Sequence, residues 1–414
     1  MKFLFVSPYL PHPKSGHGGG VYLYKLIERL SSHHQITLVT FCDGKELELA
    51  TDLKSLPIRF HSIDRVKGRQ AGLLPMLLLI FKRAFQLFMS ILRWEPYNVS
   101  KFRDRRMKAL LQRLDSEESF DLVQIVYTQL APYEELFTKG KTVLQEIDVN
   151  FRPSYHRYKH ARSIGGKFIT FVEWCRWARY ETRLARTFDH VLTITDQDRM
   201  LLAWMTKMNH ISYSAHPIEI PANVPEYRSR EARTLVFVGS FMHSANTDAA
   251  LWLVEKIFPL VTRSVPDAKL YIIGPYAPAS LESAAKSQAG IQLMGFVDDV
   301  DVYLRKGSVS IAPMRLGGGV KTKVLYAMAQ GIPIVGTRVA VAGIDGFTSE
   351  EALIGETPQQ LADHVCALFS DRELAARIGS QGRDLVKKWY SWESELAKLE
   401  TTYRQLTESQ PAKG

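Results

Sequence analysis

Residues Met1–Phe41 open with MKFLFVS, pass through PYLPHPKSGHGGG, continue as VYLYKLIERL from Val21, and reach QITLVTF at Gln35–Phe41. The first segment is an apolar run that reads as a buried strand, and the Pro- and Gly-rich stretch reads as a loop. Val21 onward has helical spacing, and Gln35–Phe41 reads as a second strand. Strand, glycine loop, helix, strand is the opening of a doubly wound α/β domain. Further strands are predicted at Ile58–Ser62, Asp121–Val126, Thr142–Ile147 and His190–Thr195. A second alternating series begins at Thr234–Ser240 and continues with strands at Lys269–Gly274, Ile291–Gly295, Ser308–Pro313 and Ile332–Gly336. A helix is expected over Thr247–Val265, and helices close the chain. The stretch PIEIPANVP, Pro217–Pro225, carries three prolines and no helical period, and reads as the linker. The expected organisation is a first Rossmann-like domain over 1–216, a linker over 217–225, a second such domain over 226–390, and a C-terminal helical segment over 391–414.

At 414 residues the chain is too long for one ordinary core. Its three cysteines, Cys42, Cys175 and Cys366, lie far apart with neither disulfide-framework nor metal-ligand spacing. That pattern fits a reducing, cytoplasmic compartment, and no metal is expected. Residues 1–225 hold 32 Lys and Arg against 22 Asp and Glu, whereas residues 226–414 are balanced, so the net charge of +10 sits in the first half. Such a surface favours an anionic partner. No nucleic-acid reader motif accompanies it, so nucleic acid is not expected. The run Phe3–Val6 is too short for a signal peptide. The most apolar segment, Gly72–Trp94, is interrupted by Lys82 and Arg83, each costing about 2.5–3.5 kcal/mol at a bilayer centre. A membrane span is therefore not expected. An ordinary buried helix pair is the preferred reading, and a helix lying in the membrane interface is the alternative.

Residues Pro313–Gly331 read PMRLGGGVKTKVLYAMAQG. Gly317, Gly318 and Gly319 precede a helical run stopped by Gly331 and Pro333. Glycines let backbone N–H groups approach an anion, and a helix N-terminus favours negative charge. Lys321 and Lys323 stand where helix electrostatics would prefer acids, which suggests an anionic ligand that offsets the cost. A flexible loop with two solvated lysines is the alternative. Neither G-x-G-x-x-G in the first glycine loop nor a P-loop ahead of Lys321 is present.

The second half resembles the retaining glycosyltransferases of the family-4 type, in the branch with three glycines before a basic-x-basic pair. The resemblance rests on FVGS at Phe237–Ser240, NTDA at Asn246–Ala249, IIG at Ile272–Gly274, GFVDDV at Gly295–Val300 and GGGVKTKVLYAMAQGIPIVGT at Gly317–Thr337. In the first half the GGG loop and YETRLARTFDHVLTIT, Tyr180–Thr195, are also similar to the family, as is SWESELAKLETTY, Ser391–Tyr403, to its terminal helix. The resemblance implies a GT-B fold: two doubly wound Rossmann-like domains facing across a cleft, with a C-terminal helix crossing back to the first.

It further implies transfer of a sugar, with retention, from a nucleotide-sugar donor to a glycan or lipid-linked acceptor in surface or exopolysaccharide assembly, without a separate cofactor. Gly295, Phe296 and Val297 would cradle the base. Gly239, Ser240, Asn246 and Gly274 would border the donor, with Gly18 and Gly19 contributed by the first glycine loop. Gly317, Gly318, Gly319 and Val320 would offer backbone groups to the diphosphate, which Lys321 and Lys323 would neutralise. No Arg or Lys occurs over Phe241–Leu251, so the compensating cation must come from that helix start. Relatives in this branch carry Glu where Tyr326 stands, which opens the alternative of a non-catalytic GT-B protein that binds a nucleotide sugar or a partner enzyme. A sugar epimerase is a third reading. Near the reacting sugar many relatives have a histidine; here the strand ends Glu146-Ile147-Asp148, making Asp148 a catalytic candidate beside Lys321, with His156 and His160 nearby in sequence as the alternatives. Localisation is expected to be cytoplasmic, with peripheral contact to an anionic membrane as an added expectation.

Overall fold

The computed structural model describes residues 1–13, 18–44, 46–64, 73–147, 149–161, 163–317 and 320–408. The chain divides into two units, Met1–Ser214 with Lys398–Gly414, and Ala215–Ala397. In the first, seven strands are β1 (Lys2–Ser7), β2 (Gln35–Cys42), β3 (Ile58–Asp64), β4 (Leu122–Val126), β5 (Lys141–Glu146), β6 (His190–Thr193) and β7 (Ile211–Tyr213). They form a sheet in the order β3-β2-β1-β4-β5-β6-β7. The second holds β8 (Thr234–Val238), β9 (Lys269–Ile273), β10 (Ile291–Gly295), β11 (Val309–Ala312), β12 (Ile334–Gly336) and β13 (Ala352–Ile354), in the order β10-β9-β8-β11-β12-β13.

Every strand pairing within the two sheets is parallel. Helices therefore have to cover both faces, and the central strands are buried on both sides: Phe3, Leu4, Phe5 and Val6 of β1 and Leu235, Val236 and Phe237 of β8 are inaccessible. In each sheet the chain reverses its winding beside the first strand, between β1 and β4 and between β8 and β11, the place where doubly wound sheets open a crevice.

The structure departs from the sequence expectations at particular elements. β7 and β13, both edge strands, are three residues long and too short to leave a periodic signature. The single helix expected over Thr247–Val265 is Ser244–Trp252, a π turn over Leu253–Ile257, and Phe258–Ser264. Pro259 has no N–H to return to the preceding turn, and the ladder is rearranged just ahead of it. The preferred reading of Gly72–Trp94 as a buried helix pair is wrong. Leu73–Leu92 is one continuous helix, because Lys82 and Arg83 are good helix formers, and Phe81, Phe88 and Leu92 are exposed.

A buried polar chain ties the C-terminal helix, Trp392–Glu408, to the first unit. The Tyr403 hydroxyl donates to Gln124 Oε1 on β4 at 2.6 Å, and Gln124 Nε2 donates to Gln145 Oε1 on β5 at 2.7 Å. Gln145 Nε2 then donates to the Tyr22 hydroxyl at 2.8 Å, which lies 3.3 Å from Ser214 Oγ. Side-chain amides that deep need partners for both ends, and each link supplies one. Tyr403→Phe leaves Gln124 Oε1 buried without that donor. The expected cost is about 1–3 kcal/mol of unfolding free energy in urea titrations of the full chain; an unchanged midpoint would contradict the chain's structural role.

Candidate functional site

The site grows from the ends of β8 and β11. Beyond β8, the backbone of Gly239 lies against that of Gly274: a Cβ on Gly274, whose φ is +150°, would run into the Gly239 carbonyl. A Cβ on Gly239 would in turn meet the Asn246 side-chain amide at 2.9 Å. These glycines let two turns and the Ser244–Trp252 helix close on one another. Asn246 uses that approach in both directions. Its Nδ2 donates to the Ser240 carbonyl at 2.7 Å, and its Oδ1 accepts from Lys323 Nζ at 2.7 Å.

Beyond β11, Arg315 pairs with Asp248 at 2.6 Å and lies over the Trp252 ring, so this cation is already neutralised. Gly317 follows, and a Cβ placed on it would stand 3.4 Å from Lys321 Cε. Lys321 occupies the N-cap position of the helix Thr322–Ala329, one residue before the first turn in which the sequence reading had put it, and Lys323 lies within that turn.

Two buried arginines hold the far end of this helix. Arg230 donates to the carbonyl of Gln330 at 2.6 Å and to those of Leu304, Arg305 and Gly307 at 2.7, 3.0 and 3.2 Å. Arg383 donates to the carbonyls of Ala329 and Pro221. Cations at a helix C-terminus satisfy carbonyls that have no partner within the helix, and they complement its dipole. The two arginines thereby fix the helix that carries Lys321 and Lys323. Arg383 also joins Pro221, in the proline-rich 217–225 stretch, to the same helix end. The Ile218 N–H donates to the Tyr390 carbonyl at 2.7 Å.

These elements line a cavity of about 770 Å³ within the second unit. Of the residues expected at a donor site, it brings together Gly239, Ser240, Asn246, Gly317, Val320, Lys321, Lys323 and Tyr326. Gly274 and Gly295 stand behind it, with the Gly274 N–H donating to the Gly295 carbonyl at 2.8 Å. Neither Phe296, which is exposed, nor Val297, which is half-buried, lines the cavity. Gly318, Gly319 and Asp148 lie outside the described residues.

Gly18 and Gly19 belong to the other unit, where they start the helix Gly18–Leu30, and a Cβ on Gly19 would collide with the Tyr127 hydroxyl. In that unit β5 ends at Glu146, which accepts from Thr128 Oγ1 at 3.0 Å and whose carboxyl burial pushes up to about 8. Glu181 accepts the backbone N–H groups of Asn150 and Phe151 and so holds the chain just past that strand end.

Asp301 and His243 also line the cavity, and sequence reasoning missed both as site residues. Asp301 directly follows the GFVDDV run; its acid type and place at the start of a short helix were the available signal. Burial and then neighbouring Asp299 raise its pKa, with Gln330 and Arg305 opposing them. Tyr326 lies close enough to Asp301 and Glu219 that, after burial, their charges further raise its phenol.

Electrostatically the cavity is built for an anion. Burial lowers Lys321. Burial and then Lys321 push Lys323 down to about 8, with the neutral Asn246 amide and the face of the Phe237 ring, 4.7 Å away, as its contacts. Two adjacent desolvated ammonium groups oppose each other's charge, and a polyanion between them would relieve both. Among the described residues no cluster of metal-ligating side chains occurs.

Two parallel sheets in two units, each with its crevice beside the first strand, define the GT-B class of α/β proteins. Solved structures share this fold along the whole chain. Sucrose-phosphate synthase of Thermosynechococcus elongatus is 16% identical, with a TM-score of 0.65 over 98% of this chain and 99% of that one. S. aureus TarM, bound to UDP, fondaparinux and alpha-GlcNAc-glycerol, is 13% identical with a TM-score of 0.66 over 99% and 100%. Anabaena HepE, bound to UDP, is 11% identical with a TM-score of 0.66 over 98% and 100%. Residues 232–371, which contain the cavity, match the family described as glycosyl transferases group 1. An uncharacterized 44.6 kDa protein in the cps region of Klebsiella pneumoniae is 22% identical over 378 residues, 88% of this chain and 90% of its own. The chain thus has the GT-B fold, and its residues 232–371 match a glycosyltransferase family.

Two outcomes check the physical account of the site. Arg230→Met removes four carbonyl contacts at the helix C-termini and should cost about 2–4 kcal/mol in denaturant unfolding; a neutral effect would mean the arginine does not hold the helix. Lys323 has a depressed folded pKa, so between about pH 8 and its ordinary 10.5 the unfolded chain binds more protons. Its destabilising contribution is therefore full below pH 8 and is relieved as pH rises toward 10.5. Measured against Lys323→Met, the wild type should gain on the order of 1–3 kcal/mol across that window. A pH-independent difference would contradict the shift.

Proposed function

We propose that this glycosyltransferase takes a sugar from a nucleoside-diphosphate donor and transfers it, with retention, to a glycan or lipid-linked acceptor in surface polysaccharide assembly. The observation that carries the reading is the pairing of desolvated Lys321 and Lys323 at a helix start inside one cavity of the second unit. A departing diphosphate is the anion such a site suits, because its charge grows as the bond to the sugar breaks. UDP in the TarM and HepE structures makes UDP-sugars the first donors to assay. The cps-region relative favours a polysaccharide context. The free cysteines Cys42, Cys175 and Cys366 favour a reducing compartment, and the basic first half favours peripheral contact with an anionic membrane.

In this reading the protein contributes position and charge. Lys321, Lys323 and the N–H groups at the start of Thr322–Ala329 hold the diphosphate, and a donor phosphate oxygen helps remove the acceptor's proton. Gly239 and Ser240 border the phosphates. Tyr326 can give and take one hydrogen bond, and Asp301, in the same cavity, supplies the carboxylate that Tyr326 lacks for donor hydroxyls. Asp148 keeps its role as candidate on the acceptor side.

Lys321→Ala should cost about 2–4 kcal/mol of transition-state stabilisation, a loss in kcat/KM of about thirty- to a thousand-fold. The assay pairs a screen of nucleotide sugars by calorimetry with sugar release into an acceptor extract. Normal turnover in the variant overturns the lysine's role, and nucleotide binding with no turnover on any acceptor favours a binding-only protein.

A further inference from the structure

Over its described side chains, from Phe81 to Leu92, the helix Leu73–Leu92 turns its large apolar groups to water. Among the described side chains from Phe81 to Trp94, the only buried one is the polar Ser90, with Gln86 and Met89 half-buried beside it. Gln86 reaches back to the Lys101 carbonyl. The opposite edge carries Phe81, Phe85, Phe88 and Leu92 at one-turn spacing, and these are 75, 55, 61 and 68% exposed. A second helix of the same unit, Ile164–Leu184, repeats the pattern in its first half, where Ile164 and Phe168 are 91 and 69% exposed. Just past the first helix, the Trp94 ring lies 4.9 Å under Arg176 in the second half of the other. Outward rows of large apolar side chains on two helices of one unit mark a candidate interaction surface.

Charge selects the occupant. Residues 73–94 contain Lys82, Arg83 and Arg93 and no Asp or Glu; residues 151–172 contain five Lys and Arg and again no acid. Arg152 of the second group is tied to Asp198, whereas Arg83 and Lys167 are exposed. Two copies meeting through these faces would set cation against cation. Among the described residues no helix is long and apolar enough to cross a membrane. Aromatic and aliphatic side chains beside Lys and Arg, on helices that do not span, suit the boundary between headgroups and acyl chains of an anionic bilayer.

We propose that the outward faces of Leu73–Leu92 and of the first half of Ile164–Leu184 dock the protein on an anionic lipid surface. Phe85, Phe88, Ile164 and Phe168 enter the interface, and Arg83 and Lys167 meet lipid phosphates. The surface is independent of the donor and acceptor chemistry, so it stands or falls separately from the transfer reaction.

The test is co-sedimentation of the full chain with vesicles of phosphatidylglycerol and phosphatidylcholine, and with phosphatidylcholine alone. The wild type should pellet with the first and stay in solution with the second, and added salt should release it. Phe85→Glu with Phe88→Glu, and separately Ile164→Glu with Phe168→Glu, should each lower the partition coefficient about tenfold or more. Arg83→Glu with Lys167→Glu probes charge without touching apolar packing and should weaken binding as salt does. All six positions are exposed, so thermal unfolding midpoints should stay unchanged. Failure of the wild type to pellet, equal pelleting of all variants, or a wild-type dimer that Phe85→Glu with Phe88→Glu makes monomeric would each overturn the proposal.

Discussion

The eight-residue helix Thr322–Ala329 brings Lys321 and Lys323 to the cavity, and it is held at its far end. Arg230 and Arg383 spend their guanidinium groups on backbone carbonyls at the C-terminal end of Thr322–Ala329 and its neighbours. An isolated helix of two turns is unstable in water. With its last carbonyls satisfied by buried cations, its N-terminal end can be left electrically unfavourable, with Lys321 at the cap and Lys323 in the first turn. The desolvation that lowers both lysines is the cost of readiness for an anion. Asn246 completes the device by linking Lys323 to the turn after β8, so the two crevice loops share one hydrogen-bonded post.

The first unit is organised by a different constraint. Its sheet centre contains Gln124 and Gln145, amides that a purely apolar core would not tolerate, and each finds its partner on another element. The Tyr403 link makes the C-terminal helix part of that core, which explains why residues from the end of the chain group with its beginning. The same unit concentrates the positive charge and the outward apolar helices, whereas the second unit holds the donor-type cavity.

Much of the fold was legible in order of appearance. Apolar runs bounded by glycine and proline mark β1, β2, β8 and β11 because parallel strands covered on both faces need apolar residues throughout. The edge strands β7 and β13 were not legible, since three residues carry no period. In the site, Gly317–Gly319, Lys321 and Lys323 could be singled out by type and spacing, whereas Asn246 came only with the family resemblance. Asp301 could not, because an acid at the start of a short helix is usually a cap, and only its place in the cavity gives it another use.

By itself the sequence determined two doubly wound domains, a glycine turn feeding a lysine-bearing helix, and a basic first half. Those follow from local chemistry: periodicity, backbone freedom at glycine, and charge count. Tertiary structure decided which groups meet. It joined Asn246 to Lys323 and Arg230 to Gln330 across 77 and 100 residues. It also turned Phe81, Phe85, Phe88 and Leu92 outward, which composition could not reveal, since a helix apolar on several faces has no sequence mark for the side that meets the protein. Burial and long-range hydrogen bonds are properties of the packed chain, and they are what convert two ordinary lysines into a desolvated anion site.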